Sequence, residues 1–136
     1  DPGLRKRFTG VRGHTLAEIT CLGYYAAEAA YRHGESWRLK LISYLRDNRN
    51  LITSFCREEM GSIEIPDIEA TYLAWMNFQP AGISDPAPYF EKEARLFLSD
   101  GRHFGEQGHA RLNFGCSRSY LEEALSVIRE TLAKRT

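Results

Sequence analysis

At 136 residues, 43% hydrophobic and 12% aromatic, the chain is long enough for one domain with a real core. Its 18 Lys and Arg balance its 18 Asp and Glu, which excludes a general electrostatic pull toward nucleic acid or an anionic membrane. No apolar run approaches the ~20 residues needed to cross a bilayer.

Residues 1–13 are basic and dotted with glycines, and read as a connection or the frayed edge of something larger. Arg5, Lys6 and Arg7 have no apolar stretch behind them, so no signal peptide is expected. Asp1 rather than Met heads the chain, and the expectation is a piece of something longer. A helix is predicted over 15–33, with Leu16, Ile19, Gly23, Ala26 and Ala30 on one face. Its small residues would let another element approach closely, and Gly34 stops it.

A longer helix is predicted over 35–60, on a stripe of Trp37, Leu41, Leu45, Asn48, Ile52 and Phe55. Beyond Gly61 the period changes to two. Residues 62–65 read as a short strand closed by Pro66. Residues 70–78 read as a clearer one, with Tyr72, Ala74, Met76 and Phe78 on one side and Thr71, Leu73, Trp75 and Asn77 on the other. Bulky apolar groups on both sides imply a strand covered on both faces.

Residues 79–88 form a Pro-rich loop, and Asp85-Pro86 is a good cap and first turn for a helix carrying Phe90, Ala94 and Phe97. Residues 96–98 fit either the end of that helix or a short strand. A Gly-rich loop over 100–108 leads to a strand over 109–114. In it Ala110, Leu112 and Phe114 alternate with Arg111 and Asn113. Ser119-x-x-Glu122 matches a capping box for a last helix bearing Leu121, Ala124, Leu125, Ile128 and Leu132. This order suggests an α+β domain, a small, mostly antiparallel sheet packed with helices.

Little in this order is a diagnostic catalytic motif. Cys21, Cys56 and Cys116 are far apart and odd in number, and read as free thiols in a reducing, cytoplasmic setting. No metal site is expected, since His14, His33, His103 and His109 lack partners at ligand spacing. Glu58–Glu59 and Glu122–Glu123 are adjacent on helices and do not face each other, so they make poor catalytic dyads. The Gly101–Gly108 loop lacks the Lys-Ser or Lys-Thr of a phosphate loop. The cluster of Arg5, Lys6, Arg7 and Arg12 has no aromatic interleaving to suggest nucleic acid.

Arg111 is the residue singled out. A guanidinium fixed on a strand suits two-point binding of a carboxylate. The competing reading is a surface arginine paired to a nearby glutamate.

Five segments say more together. They are the run from Ala26 through Tyr31-Arg32-His33-Gly34-Glu35-Ser36-Trp37, then Tyr44-Leu45-Arg46-Asp47-Asn48-Arg49, then Glu69-Ala70-Thr71-Tyr72-Leu73-Ala74-Trp75. Leu98-Ser99-Asp100-Gly101-Arg102-His103-Phe104-Gly105 and Arg111-Leu112-Asn113-Phe114-Gly115-Cys116 complete the set. In this order and spacing the chain resembles the C-terminal part of class I/II aminotransferase-fold enzymes that bind pyridoxal 5′-phosphate (PLP). The branch it resembles is the cystathionine β-lyase type of C–S lyase.

The resemblance implies a fold-type-I enzyme. Residues 1–33 would be the end of its large domain and a connecting helix, and residues 34–136 its C-terminal small domain. It places Arg111 at the family's clamp for the substrate α-carboxylate. Residues 15–22 loosely resemble the loop that approaches a neighbouring subunit's active site, which would make Thr20 or Tyr24 a candidate for a cofactor contact. No cofactor-binding residue is assigned, and Asn77 stands where related sequences often have Asp. None of Lys6, Lys40, Lys92 and Lys134 follows the Ser-rich stretch that precedes the family's Schiff-base lysine, so the chain alone is expected to be inactive and PLP-free.

The full-length enzyme, expected to be a homodimer, would act on an amino acid. As a lyase it would expel a thiol from the β carbon, leaving pyruvate and ammonia. As an aminotransferase it would reprotonate at the cofactor instead. The alternative is a stand-alone, non-enzymatic binding module of the same fold.

Overall fold

A computed structural model describes residues 1–13 and 19–135. The predicted helix start at 15, Leu16 and His14 lie outside the described residues. The chain divides into two units, Asp1–Leu39 and Lys40–Thr136.

In the first unit, residues 1–13 are not a loose connection but a helix, α1 (Pro2–Arg12). The Asp1 carboxylate accepts from the backbone N–H groups of Gly3 (2.6 Å) and Leu4 (3.1 Å), and Pro2 presets the first turn. This cap offsets part of the cost of Gly3 and Gly10 inside the helix. Helix α2 (Cys21–His33) is capped by Thr20, whose Oγ1 accepts from Gly23 N–H at 3.2 Å. Neither helix has a buried residue. Phe8, Val11, Leu22, Tyr25 and Tyr31 are exposed.

Helix α3 (Glu35–Glu59) runs on into the second unit. Trp37, expected on its buried stripe, is exposed. The inward face is Asn48, Ile52 and Cys56, flanked by half-buried Leu45 and Phe55. The predicted strand over 62–65 shrinks to one bridge between Glu64 and Asn77, because Pro66 has no N–H with which to extend a ladder.

The sheet has three antiparallel strands in the order β1 (Leu73–Asn77), β3 (His109–Asn113), β2 (Ser99–Asp100). Strand β1 starts later than predicted. Thr71 sits at φ 69°, outside the extended region, and its Oγ1 accepts from Leu73 N–H. Helix α4 (Pro86–Ala94) ends at Arg95, which takes a left-handed conformation. Asp85 stands at the cap position, but its carboxylate turns to Ser84 and Arg102 rather than to the helix.

Helix α5 (Arg118–Ala133) begins before the predicted capping box. Ser117 is the cap and accepts from Tyr120 N–H, so Ser119 already lies in the first turn. The motif misled because the true cap has Tyr, not Glu, three residues on.

One face of the sheet carries Ala74, Met76, Ala110 and Leu112 into the core. There Ile52 and Cys56 of α3, Phe90 of α4 and Leu121, Leu125 and Ile128 of α5 meet them. Phe78, Phe90 and Phe114 are fully buried, each contributing roughly 1.5–3 kcal/mol. The opposite face carries Leu73, Trp75, Asn77, His109, Arg111 and Asn113, which are half-buried or exposed.

Between β2 and β3 the Gly-rich loop coils into a 3-10 turn, Gly101–Phe104. A Cβ on Gly101 would run into the carbonyl oxygens of Glu106 and His109. Backbone cannot yield there as a flexible side chain would. Gly101→Ala is expected to lower stability by about 2 kcal/mol or more, read from urea unfolding.

Candidate functional site

The open face of the sheet gathers the notable groups. Arg111 lies on the central strand, in register with Trp75 of β1 and Ser99 of β2. Its Nη2 donates to Ser99 Oγ at 3.3 Å, and its Cζ lies 4.7 Å from the centroid of the Phe104 ring. Trp75 meets Phe104 edge-on, with centroids 5.6 Å apart at 88°, and stacks on His109 at 5.6 Å and 16°.

None of the ion pairs among the described residues involves Arg111. It is a half-buried cation held by a hydroxyl and a ring, with no carboxylate paired to it among the described residues. Ser99 and Phe104 were not singled out from the sequence. Their signal was membership of the segment Leu98–Gly105, one of the five that carry the resemblance.

Asn113 Oδ1 accepts from Gly115 N–H at 2.8 Å, shaping the exit of β3. Asn77 donates to Glu64 Oε2 and accepts from Gln79 N–H. His109 Nδ1 lies 3.1 Å from the Gln107 carbonyl, while His103 and His33 are exposed. Thr20 caps α2, and Tyr24 is exposed on that helix.

The lysines Lys6, Lys40, Lys92 and Lys134 are all exposed, and Lys92 pairs with Glu93. Glu59 forms an ion pair with Arg129. The three cysteines are free, and burial pushes the Cys56 thiol up to about 11, which makes it unreactive at neutral pH. Among the described residues no three His, Cys, Asp or Glu side chains group as metal ligands, and no helix is long and apolar enough to cross a membrane.

The rim of the site is set by Asp100. Its carboxylate takes a forked pair from Arg102 Nε (3.1 and 3.0 Å) and Nη2 (2.6 Å), and Arg102 backbone N–H adds a bond at 2.9 Å. These bonds to Arg102 lower the Asp100 carboxyl to about 2. A carboxyl depressed on folding stabilises the fold above its unfolded value, roughly 3.9, and loses that contribution as pH falls through the folded value. Carboxyl-carbon NMR should therefore place the Asp100 midpoint near 2. The loop should loosen between about pH 4 and 2, and Arg102→Gln should return the midpoint toward the ordinary Asp value.

No family model matches the chain. A curated relative, the cystathionine β-lyase of Corynebacterium glutamicum, is 36% identical over 116 residues, covering 84% of this chain and 31% of that protein. The crystal structure of OvoB superposes with a TM-score of 0.89 at 37% identity, covering 96% of this chain and 34% of that one. Cystalysin from Treponema denticola, whose crystal structure contains a pyridoxal 5′-phosphate cofactor, superposes with a TM-score of 0.90. It does so at 27% identity, over 100% of this chain and 36% of that one. Over most of its length the chain is similar to cystathionine β-lyases and to C–S lyases of known structure. It spans about a third of the length of these relatives. The α+β fold, with its three-stranded antiparallel sheet, is the one these relatives share over that third.

Proposed function

We propose that this chain is the C-terminal part of a longer PLP-dependent enzyme, a C–S lyase of the cystathionine β-lyase type or an aminotransferase of the same fold. Its role there is to bind the substrate α-carboxylate through Arg111. Residues 34–136 are its small domain, and residues 1–33 are the end of the large domain with a connecting helix. The observation that carries this reading is the guanidinium of Arg111, held in place on an open sheet face yet neutralised by no carboxylate among the described residues.

Among the described residues no lysine is placed as a Schiff-base amine. All four lysines are exposed, and none lies in a pocket that would tune a Schiff-base amine. PLP, when bound, supplies the electron sink for charge at the substrate Cα. The lysine that holds it belongs to the remaining two thirds of the protein, so this chain alone is inactive. Its own contribution is geometric. Two parallel N–H···O bonds from the fork fix both carboxylate oxygens, which stops rotation of the amino acid and presents its Cα in one orientation.

The uncovered faces of α1 and α2, with Phe8, Val11, Leu22, Tyr25 and Tyr31 exposed, fit segments that dock onto the rest of a larger, homodimeric enzyme. Three free cysteines accord with a reducing cytoplasm. Sequencing the gene upstream of the Asp1 codon tests the reading. The expected result is an open frame encoding a large α/β domain and a Ser-rich stretch before a lysine. A start codon directly before Asp1 would overturn it in favour of a small binding protein.

A further inference from the structure

We infer that Phe104 is a positioning residue for Arg111, the aromatic platform that sets the plane of its guanidinium. The inference rests on the carboxylate-clamp reading of Arg111. Phe104 is a large apolar side chain left 51% exposed, in a loop with ample polar alternatives. What it touches explains it. The Arg111 Cζ lies 4.7 Å from the ring centroid, within the range where a ring's negative face attracts a cation.

A guanidinium lying on a ring keeps its N–H edge free, and that edge is what a carboxylate needs. The ring is itself fixed, because Trp75 abuts it edge-on at 5.6 Å and 88°. Trp75 is braced in turn by the stacked His109. Ser99 holds one Nη2 from the side. Arg111 is thus located by a ring and a hydroxyl, neither of which competes for its charge as a glutamate would. A long, flexible side chain is ordered before substrate arrives, and the ordering cost is not charged against binding.

The test is NMR on the 136-residue chain, following the Arg111 Nε–Hε signal as acetate replaces chloride at constant ionic strength. In the native protein this signal is expected upfield from the Phe104 ring current and should move saturably with acetate. Phe104→Leu should remove the upfield displacement and weaken acetate binding about twofold to fivefold, with core amides such as Ala74 and Met76 unmoved. Phe104→Tyr, which keeps the ring, should preserve both. If acetate moves the native signal but Phe104→Leu binds it equally well, the positioning role is overturned and the clamp stands. If acetate leaves the native signal in place, the clamp itself fails and the positioning role goes with it.

Discussion

Replacing Arg111 by Lys in the full-length enzyme is expected to lower kcat/KM for an amino-acid substrate by about fivefold to 150-fold, equivalent to ~1–3 kcal/mol. The charge survives the change, so a purely electrostatic role predicts little loss. The fork does not survive. An ammonium offers a point charge on a flexible stem, makes one good bond where the guanidinium makes two in parallel, and has no plane to lay on Phe104. A substrate held at one oxygen swings about that bond, and less of the bound population has its Cα in the reactive orientation.

The loss should therefore appear in kcat as well as in KM. Steady-state kinetics with wild type and variant at matched pH measures it. Arg111 lies on the open face rather than among the core residues, so the variant's unfolding midpoint should stay close to wild type. Unchanged kinetics would remove the carboxylate assignment.

How much of this was legible in the sequence depends on how local the cause is. Strands β1 and β3 and helices α3 and α5 follow from alternation and helical periodicity, which are properties of contiguous residues. The same alternation turns Arg111 away from Leu112, so its placement on the open face was readable. Helix α1 was hidden because its glycines were read as breakers. The Asp1-Pro2 start, an equally local signal, explains it. Ser99 reaches Arg111 through the pairing of β2 with β3, and Phe104 reaches it because the turn over Gly101–Phe104 coils back toward Arg111. That coil depends on Gly101 tolerating close backbone carbonyls and on the Asp100–Arg102 fork. Neither follows from periodicity. The partners of Trp75 are equally non-local: among the described residues they include the rings of Phe104 and His109.

Asn48 shows the same limit and yields the largest expected effect on stability. The helical stripe of α3 placed it inward among Leu45, Ile52 and Phe55, where an apolar residue would be the ordinary choice. In the fold it is fully buried. Its Nδ2 donates to the carbonyls of Phe114 (3.0 Å) and Cys116 (3.1 Å), tying α3 to the chain leaving β3. Its Oδ1 is buried without a hydrogen-bond partner among the described residues. The two carbonyls fix the orientation, since a flipped amide would set its oxygen against both of them.

Asn48→Ala should cost about 2–4 kcal/mol, because it strands two acceptors and leaves a small cavity. Asn48→Leu should cost less, since it fills the space and removes the orphan Oδ1 while still leaving the carbonyls unpaired. Asn48→Asp should be the most damaging at neutral pH, where a carboxylate would face both carbonyls. It should recover partly in acid, as the protonated side chain regains one donor. Urea unfolding followed by tryptophan fluorescence separates the three variants. If Asn48→Ala falls within about 0.5 kcal/mol of wild type, the two long-range bonds contribute nothing net and the exit of β3 is held by apolar packing of Phe114 alone.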